Sequence, residues 1–323
     1  MKDFRGRMAV VTGGGTGMGR ELTKQLAAEG CHVAMCDVSR DAMDETAAMA
    51  IGLAPPGTRV TGFVADVSVA SQMAAFRDEV IRAHSVNYLN LLFNNAGIGG
   101  GGSMIVDGPD EWEKVFGVCW GGVYNGTRSF LPLLMEAKEG HVVNTSSVNG
   151  FWACLGPQVP HTAYSAAKFA VKGFTEALMI DFRVNAPHLR ASVVMPGHIG
   201  TSIVFNSGSA FGRNPKELTG DHIAGVRSRL AKQGIDTTGA SDEDLKTMIV
   251  QRAESFRDNA PTSAAQAATI ILDGVRADKW RILVGDDAHV LDEMIRNDPE
   301  RAYETSFADD LAERNVFGFI PRS

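Results

Sequence analysis

Tyr164 and Lys168 stand four residues apart in HTAYSAAKFAVKGF (161–174), a segment with helical periodicity. On a helix that spacing puts both on one face, one turn apart. An ammonium so placed stabilises phenolate and predicts a phenol pKa lowered from its usual value of about 10. Such a phenol takes the proton of an alcohol or gives one to a ketone. Ser147 lies in NTSSVNG (144–150) at the end of a predicted strand, and a parallel sheet would carry it to the edge where ligands bind. An isolated Tyr and Lys at this spacing is by default an exposed pair without chemistry, so its meaning rests on its surroundings.

A second constellation is TGGGTGMGR (12–20), which follows the strand-like MAVVT and runs directly into ELTKQLAAEG. Strand, glycine turn and helix N-terminus in that order form an anion site, where backbone N–H groups and the helix dipole meet a pyrophosphate. Gly13, Gly17 and Gly19 would supply the tight turn and the close approach; the plainer reading is an ordinary βα connection. Asp37, eighteen residues beyond Gly19 at the end of the second predicted strand, would accept hydrogen bonds from adenosine ribose hydroxyls and repel a 2′-phosphate. That favours NAD over NADP. Arg40 stands near enough to tolerate the phosphate if its guanidinium swings over.

The elements that must position these groups alternate along the first two hundred residues. Short apolar runs occur at 8–12, 31–36, 59–66, 89–93, 141–146 and 190–195, with helical segments at 17–29, 40–50, 69–84, 110–137 and 161–184 between them. Strict alternation predicts an α/β fold, a doubly wound parallel sheet of the Rossmann kind with helices on both faces. After Pro196 the pattern departs. Residues 202–260 hold a Gly/Ser/Asn stretch and two polar amphipathic segments (215–233 and 241–257), an excursion read as a helical substrate lid inserted in a single domain spanning 1–323. A helix at 262–276, capped by Thr262 or Ser263, then leads to a last strand, WRILVG (280–285). Residues 286–323 form a charged C-terminal extension with Tyr303, Phe307, Phe317 and Phe319, readable either as a surface helix with a frayed end or as a subunit contact.

Composition narrows the partners. Lys+Arg of 31 against Asp+Glu of 38 gives a net charge of −7 without a long basic run, which argues against nucleic acid and anionic membrane surfaces and for a small molecule. Four cysteines without CxxC or metal-ligand spacing suit reduced thiols, and no metal is expected. No signal-peptide core and no run of about 18 apolar residues is evident, so a cytoplasmic, soluble protein is expected.

Taken in order, TGGGTGMG, NNAG (94–97), SS (146–147), YSAAK (164–168) and PGHIGT (196–201) resemble the motif set of the short-chain dehydrogenases/reductases. The likeness covers residues 5–203 and resumes over 262–285. It implies that Gly13, Gly17 and Gly19 with Met18 cradle the pyrophosphate, that Asp37 holds the adenosine ribose, and that Asp66 and Val67 flank the adenine. It further implies that Asn95 braces the sheet behind the cofactor and that Tyr164 is the acid/base. Lys168 would bind the nicotinamide ribose, Ser147 would hydrogen-bond the substrate oxygen, and Ile199 and Thr201 would contact the carboxamide. Homodimers or homotetramers built on the helices near 110–137 and 161–184 are expected from the family.

Two departures matter. The spacing from Ser147 to Tyr164 is longer than usual, and the extra residues fall in FWACLGPQVPH (151–161). Phe151, Trp152, Leu155 and Val159 there either line a pocket for a bulky apolar steroid, terpenoid or aryl alcohol, or cover a core edge. His161 and His198 flank the site as hydrogen-bonding or packing residues rather than as a second base. In GVCWGGVYNG (117–126), Cys119 stands where relatives carry an Asn counted with the catalytic residues. The leading expectation is an NAD-dependent secondary-alcohol dehydrogenase or ketoreductase; the rival is a nucleotide-binding sensor or scaffold whose proton relay lapsed at Cys119. A nucleotide-sugar epimerase fits the length but not the NNAG and glycine spacings.

Overall fold

The computed structural model describes residues 1–156, 159–232, 235–314 and 316–317. Each of the seven predicted apolar runs contributes a strand. They are β1 (Met8–Thr12), β2 (His32–Asp37), β3 (Val60–Val64), β4 (Leu91–Asn94), β5 (Gly140–Thr145), β6 (Leu189–Pro196) and, after a short pair described below, β9 (Arg281–Val284). The sheet order is β3-β2-β1-β4-β5-β6-β9, with every neighbouring pair parallel. The order reverses between β1 and β4, which opens a crevice at their carboxyl ends. Strands covered on both faces read as unbroken apolar runs, and every residue of β1 is buried.

Helices α1 (Gly17–Ala28), α2 (Arg40–Leu53) and α10 (Ala264–Arg276) supply one face, where Leu22, Leu26, Met43 and Ile271 pack on Val11, Val33 and Phe93. Helices α3 (Ala70–His84), α5 (Gly122–Met135) and α6 (Thr162–Asn185) supply the other, with Phe76, Phe130 and Leu178 on Val10, Leu92 and Val142. Ser263 is the cap of α10, accepting from the Gln266 N–H while the Gln266 side chain accepts from the Ser263 N–H.

Three expectations are corrected. The predicted helix over 110–137 is broken into α4 (Pro109–Phe116), a π-helical turn (Gly117–Gly121) and α5. The Gly122 N–H donates to both Gly117 O and Val118 O. Packing explains two of the glycines: a Cβ at Gly122 would lie 2.6 Å from Val67 Cγ2, and one at Gly126 would lie 2.2 Å from Asn94 Oδ1. Close approach of this helix to β4 therefore excludes side chains there.

The region after Pro196 holds more structure than its composition suggests. β7 (Ile199–Gly200) pairs in parallel with β8 (Thr262–Ser263), and α7 (Ile203–Ala210) forms from the Gly/Ser/Asn stretch ahead of α8 (Gly220–Lys232) and α9 (Asp242–Asp258).

The C-terminal extension is a packed cover for its own chain. α11 (Asp286–Asn297) and α12 (Thr305–Glu313) enclose Trp152, which is 2% exposed, with Leu291, Phe307 and Phe317 around it. Trp152 Nε1–H donates to Ala302 O at 2.8 Å, and the Ala153 N–H donates to the Tyr303 hydroxyl at 3.2 Å. Phe151 and Trp152 thus cover a core edge under the tail instead of lining a substrate pocket. Pro157 and Phe319 lie outside the described residues. Trp152→Ala removes the centre of this cluster and is expected to cost about 3–5 kcal/mol in urea unfolding; an unchanged midpoint would show that the tail does not bear on the fold.

Candidate active site

The glycine turn sits at the sheet reversal, and its geometry demands glycine. Gly13 and Gly17 have φ of +64° and +54°, in the left-handed region. A Cβ at Gly13 would lie 2.9 Å from Ala96 Cα, and one at Gly19 would lie 2.0 Å from Gly13 O. Thr16 stands at the start of α1 with no side-chain cap bond, so the leading N–H groups of α1 face the crevice with capacity for an anion. Met18 packs against the core beneath. Asn95 ties the turn to β4: its Nδ2 donates to Thr12 O at 3.1 Å, while the Asn95 and Ala96 N–H groups donate to Thr12 Oγ1. Asn95 Oδ1 is buried without a partner among the described residues.

Asp37, at the end of β2, accepts from the Gly15 N–H at 3.0 Å and from the Ser39 N–H at 3.1 Å. Its carboxylate thereby borders the turn. Arg40 Nη1 donates to Gly62 O at 3.1 Å, which directs the guanidinium to β3. Asp66 Oδ1 accepts from the Ser68 N–H and hydroxyl, and Val67 is buried beside it. Sequence reasoning missed Asn125, whose Nδ2 donates to Val67 O at 3.0 Å and Ser68 O at 3.2 Å. Its one sequence signal is its place beside Gly126, on the face of α5 that meets the sheet.

Ile199 is buried in β7, and Thr201 borders the glycine turn, its Cγ2 3.2 Å from where a Gly17 Cβ would stand. The preceding turn is held by Asp287 of α11, which sequence reasoning also missed. Asp287 Oδ2 accepts from the buried His198 N–H at 2.6 Å, and Oδ1 accepts from the Ala288 N–H at 2.9 Å. Burial pushes the Asp287 carboxyl above the usual carboxylate range, against the pull of these two bonds. His198 Nε2 hydrogen-bonds Phe256 O at 2.7 Å, a structural role as expected.

Ser147, Tyr164 and Lys168 are brought together at the next strand end. β5 stops at Thr145, and Ser147 Oγ accepts from the Asn149 N–H at 3.1 Å as it caps a short 3-10 turn, Val148–Gly150. Two glycines of the segment after β4 seat α6: the Thr162 N–H donates to Gly102 O and the Ala163 N–H to Gly101 O. Lys168 is 2% exposed; its Nζ donates to Thr145 O at 2.9 Å and lies 5.3 Å from the Tyr164 ring centroid. The Ser147 hydroxyl stands near enough to the phenol to favour its phenolate.

The expected lowering of the phenol pKa is corrected. Burial raises Tyr164 above its ordinary value, and the Lys168 ammonium and the Ser147 hydroxyl offset only part of that. His161 lies parallel to the Tyr164 ring, 4.8 Å between centroids, and burial pushes its pKa down to about 4, so it is uncharged at neutral pH. Cys119 is buried in the π turn, and its thiol donates to Ile98 O at 3.2 Å. Ile98, Trp112, Phe116 and Phe211 pack, as Tyr164 does, against the small cluster of Val115, Cys119, Ala163 and Ala167.

The inserted helices are strapped to this edge. Asn206 Nδ2 donates to Thr16 Oγ1 and the Gly99 N–H donates to Ser207 Oγ, while Arg213 pairs with Glu111 at 2.6 Å and Arg229 with Asp107 at 2.8 Å.

Comparison with known proteins agrees with this geometry. The family model for short chain dehydrogenases matches residues 7–210. A protein named as the oxidoreductase SadH of Mycobacterium tuberculosis is 33% identical over 297 residues, 92% of each chain. The meso-2,3-butanediol dehydrogenase of Serratia marcescens is 31% identical over 238 residues, 71% of this chain and 88% of its own. The structure of a short-chain dehydrogenase/reductase from Burkholderia phymatum in complex with NAD is similar at a TM-score of 0.71 and 28% identity, over 93% of this chain and 95% of the other. The glycine turn, the strand order and these likenesses lead to one assignment: the chain belongs to the short-chain dehydrogenases/reductases and is an oxidoreductase with a nicotinamide dinucleotide site.

Proposed function

We propose that the protein interconverts a secondary alcohol and a ketone with NAD(H), on a fairly apolar small molecule of steroid, terpenoid or aryl-alcohol type. The observation that carries this reading is the buried Lys168 ammonium beside the Tyr164 ring, with the Ser147 hydroxyl close to the phenol. When bound, the nicotinamide supplies or accepts the hydride at its C4. Ser147 and Tyr164 hold the substrate oxygen. In the reducing direction the Tyr164 O–H gives its proton to the carbonyl oxygen, and Lys168 stabilises the phenolate left until solvent reprotonates it. A phenol with a raised pKa is in the donor form at neutral pH. The partly buried apolar side chains of Ile98, Trp112, Phe116 and Phe211, packed on the same cluster as Tyr164, support the substrate class in place of the Phe151–Trp152 loop.

Gly13, Gly17, Gly19 and Met18 hold the pyrophosphate in this reading, Asp66 and Val67 flank the adenine, and Asn95 supports the turn from behind. Lys168 also binds the nicotinamide ribose, and Ile199 and Thr201 reach the carboxamide. Asp37 selects NAD: its carboxylate borders the turn, while Arg40 is engaged on β3. The segment 202–260 serves as the substrate lid, and its strap to Thr16 and Gly99 supports that role. Tyr124, Phe169, Ile180 and Val184 are exposed on α5 and α6, which supports a homodimer or homotetramer through these helices. Among the described residues no helix is long and apolar enough to cross a membrane, and the cytoplasm is the proposed location.

A second reading, a nucleotide binder without turnover, draws on Cys119, whose thiol hydrogen bond goes to Ile98 O. Four measurements test these proposals. Tyr164→Phe is expected to lower kcat for ketone reduction by about 10²–10⁴-fold with NADH binding, followed by fluorescence, retained. Because the phenol pKa is raised, kcat/KM for reduction with NADH should stay level across neutral pH and fall only above about 10; a fall near pH 7 contradicts the burial argument. Wild-type kcat/KM should be higher with NAD than with NADP, and Cys119→Asn should leave turnover within about tenfold of wild type, about 1.4 kcal/mol. If Cys119→Asn instead switches on an otherwise inert protein, the nucleotide-binder reading holds.

A further inference from the structure

His161 immediately precedes α6, where a side chain commonly caps the first N–H groups of a helix. Its imidazole makes no cap bond. Instead it lies flat against the Tyr164 ring, with 15° between the planes. Nδ1 is buried and has no partner among the described residues, whereas Nε2 is not among the buried unpartnered atoms. Unpaired buried acceptors are commoner than unpaired buried N–H groups, so the proton belongs on Nε2. Burial alone governs the titration of this ring, which agrees with an imidazole that no hydrogen bond from a described residue engages. Among the described residues an N–H donor is left open on the ring stacked against the phenol.

Side chains of a helix lean toward its N-terminus, and the N-terminus of α6 is at the ligand edge of the sheet. Three residues before Tyr164, His161 therefore stands on the side of the phenol from which substrate enters. We propose that His161 is a specificity-determining residue whose Nε2–H hydrogen-bonds a second oxygen of the substrate, carried on the carbon next to the reacting one. Rings stacked with centroids 4.8 Å apart suit a pair of oxygens on neighbouring carbons better than oxygens at opposite ends of a large frame. The donor is neutral, so it matches a hydroxyl or carbonyl and offers no charge to a carboxylate. The favoured substrates are then vicinal hydroxyketones, diketones or diols on an otherwise apolar body. This deepens the proposed function and rests on Tyr164 as the acid/base.

The test compares 1-phenyl-1,2-propanedione with propiophenone, which share the aryl frame and differ in the second oxygen. Binding to the enzyme–NADH complex is read by NADH fluorescence in the Tyr164→Phe variant, and KM and kcat are read in the otherwise wild-type enzyme. The dione is expected to bind more tightly by about three- to twelvefold, the worth of one neutral hydrogen bond. His161→Phe keeps a stacking ring without the N–H and is expected to erase that preference; His161→Gln, which restores a donor, should recover part of it. Equal binding of the two ketones by the unsubstituted His161 protein, absence of binding included, overturns the proposal. So does a His161→Phe effect that is the same on both ketones, which is the signature of packing. If Tyr164→Phe still turns over, the acid/base reading fails while the binding ratio continues to judge His161 by itself.

Discussion

A buried ammonium is the constraint around which the site is built. Taking Lys168 out of water costs several kcal/mol unless its hydrogen bonds are remade inside the protein. The structure answers with Thr145 O on Nζ, while Ser146 Oγ–H, donating to the Lys168 backbone carbonyl at 2.7 Å, fixes the residue in place. Gly150 completes the fit, since a Cβ there would lie 2.9 Å from Lys168 O. One residue thus joins the end of β5, the 3-10 turn and α6. Ser147 and Tyr164 inherit their places from that junction, because one caps the turn and the other lies one helical turn ahead of the lysine.

The same logic of close approach governs the dinucleotide edge and explains which parts of the fold are legible in the amino-acid sequence. Apolar runs with period-free burial and glycines at a strand-to-helix junction are local signals, so all seven sheet strands, the turn at Gly13–Gly19 and the helix carrying Tyr164 can be read from local pattern alone. The π turn cannot. A helix with one inserted residue keeps an apolar period on either side, and only the contacts of Gly122 with Val67 and Gly126 with Asn94 show why the backbone departs there. Helix α7 is hidden by propensity, for Asn, Ser and Gly are poor helix formers that tertiary contacts override. Burial of Trp152 under α11 and α12 is a long-range pairing that no local pattern encodes, and the sign of the Tyr164 shift depends on how much desolvation outweighs one nearby charge.

Cys119 is the departure with the widest reach. The π turn places its thiol on Ile98 O and beside Gly97, where a Cβ would come 3.7 Å from Sγ and 3.5 Å from Lys168 Nζ. The thiol therefore occupies the neighbourhood of the ammonium while giving its proton to the backbone. A buried thiol serves well as a small hydrophobe and poorly as a hydrogen-bond relay. The helix departs from α geometry here without an amide at position 119, in a turn bordered by Gly117, Gly121 and Gly122.

The inserted helices are strapped to the loop that seats α6. Glu111 accepts from the Gly101 N–H and pairs with Arg213, while Asp107 accepts from the Ser103 N–H and pairs with Arg229. Both carboxylates thus fix the loop that seats α6 and hold the lid helices down with the same side chains. Because Asp107 and Glu111 are largely shielded from solvent, with 7% and 16% of their side chains exposed, salt screens these pairs less than pairs fully in water. The loop, the inserted helices and the N-terminus of α6 are consequently tied together by the same carboxylates, and lifting the helices would break the ion pairs that steady the seat of His161 and Tyr164.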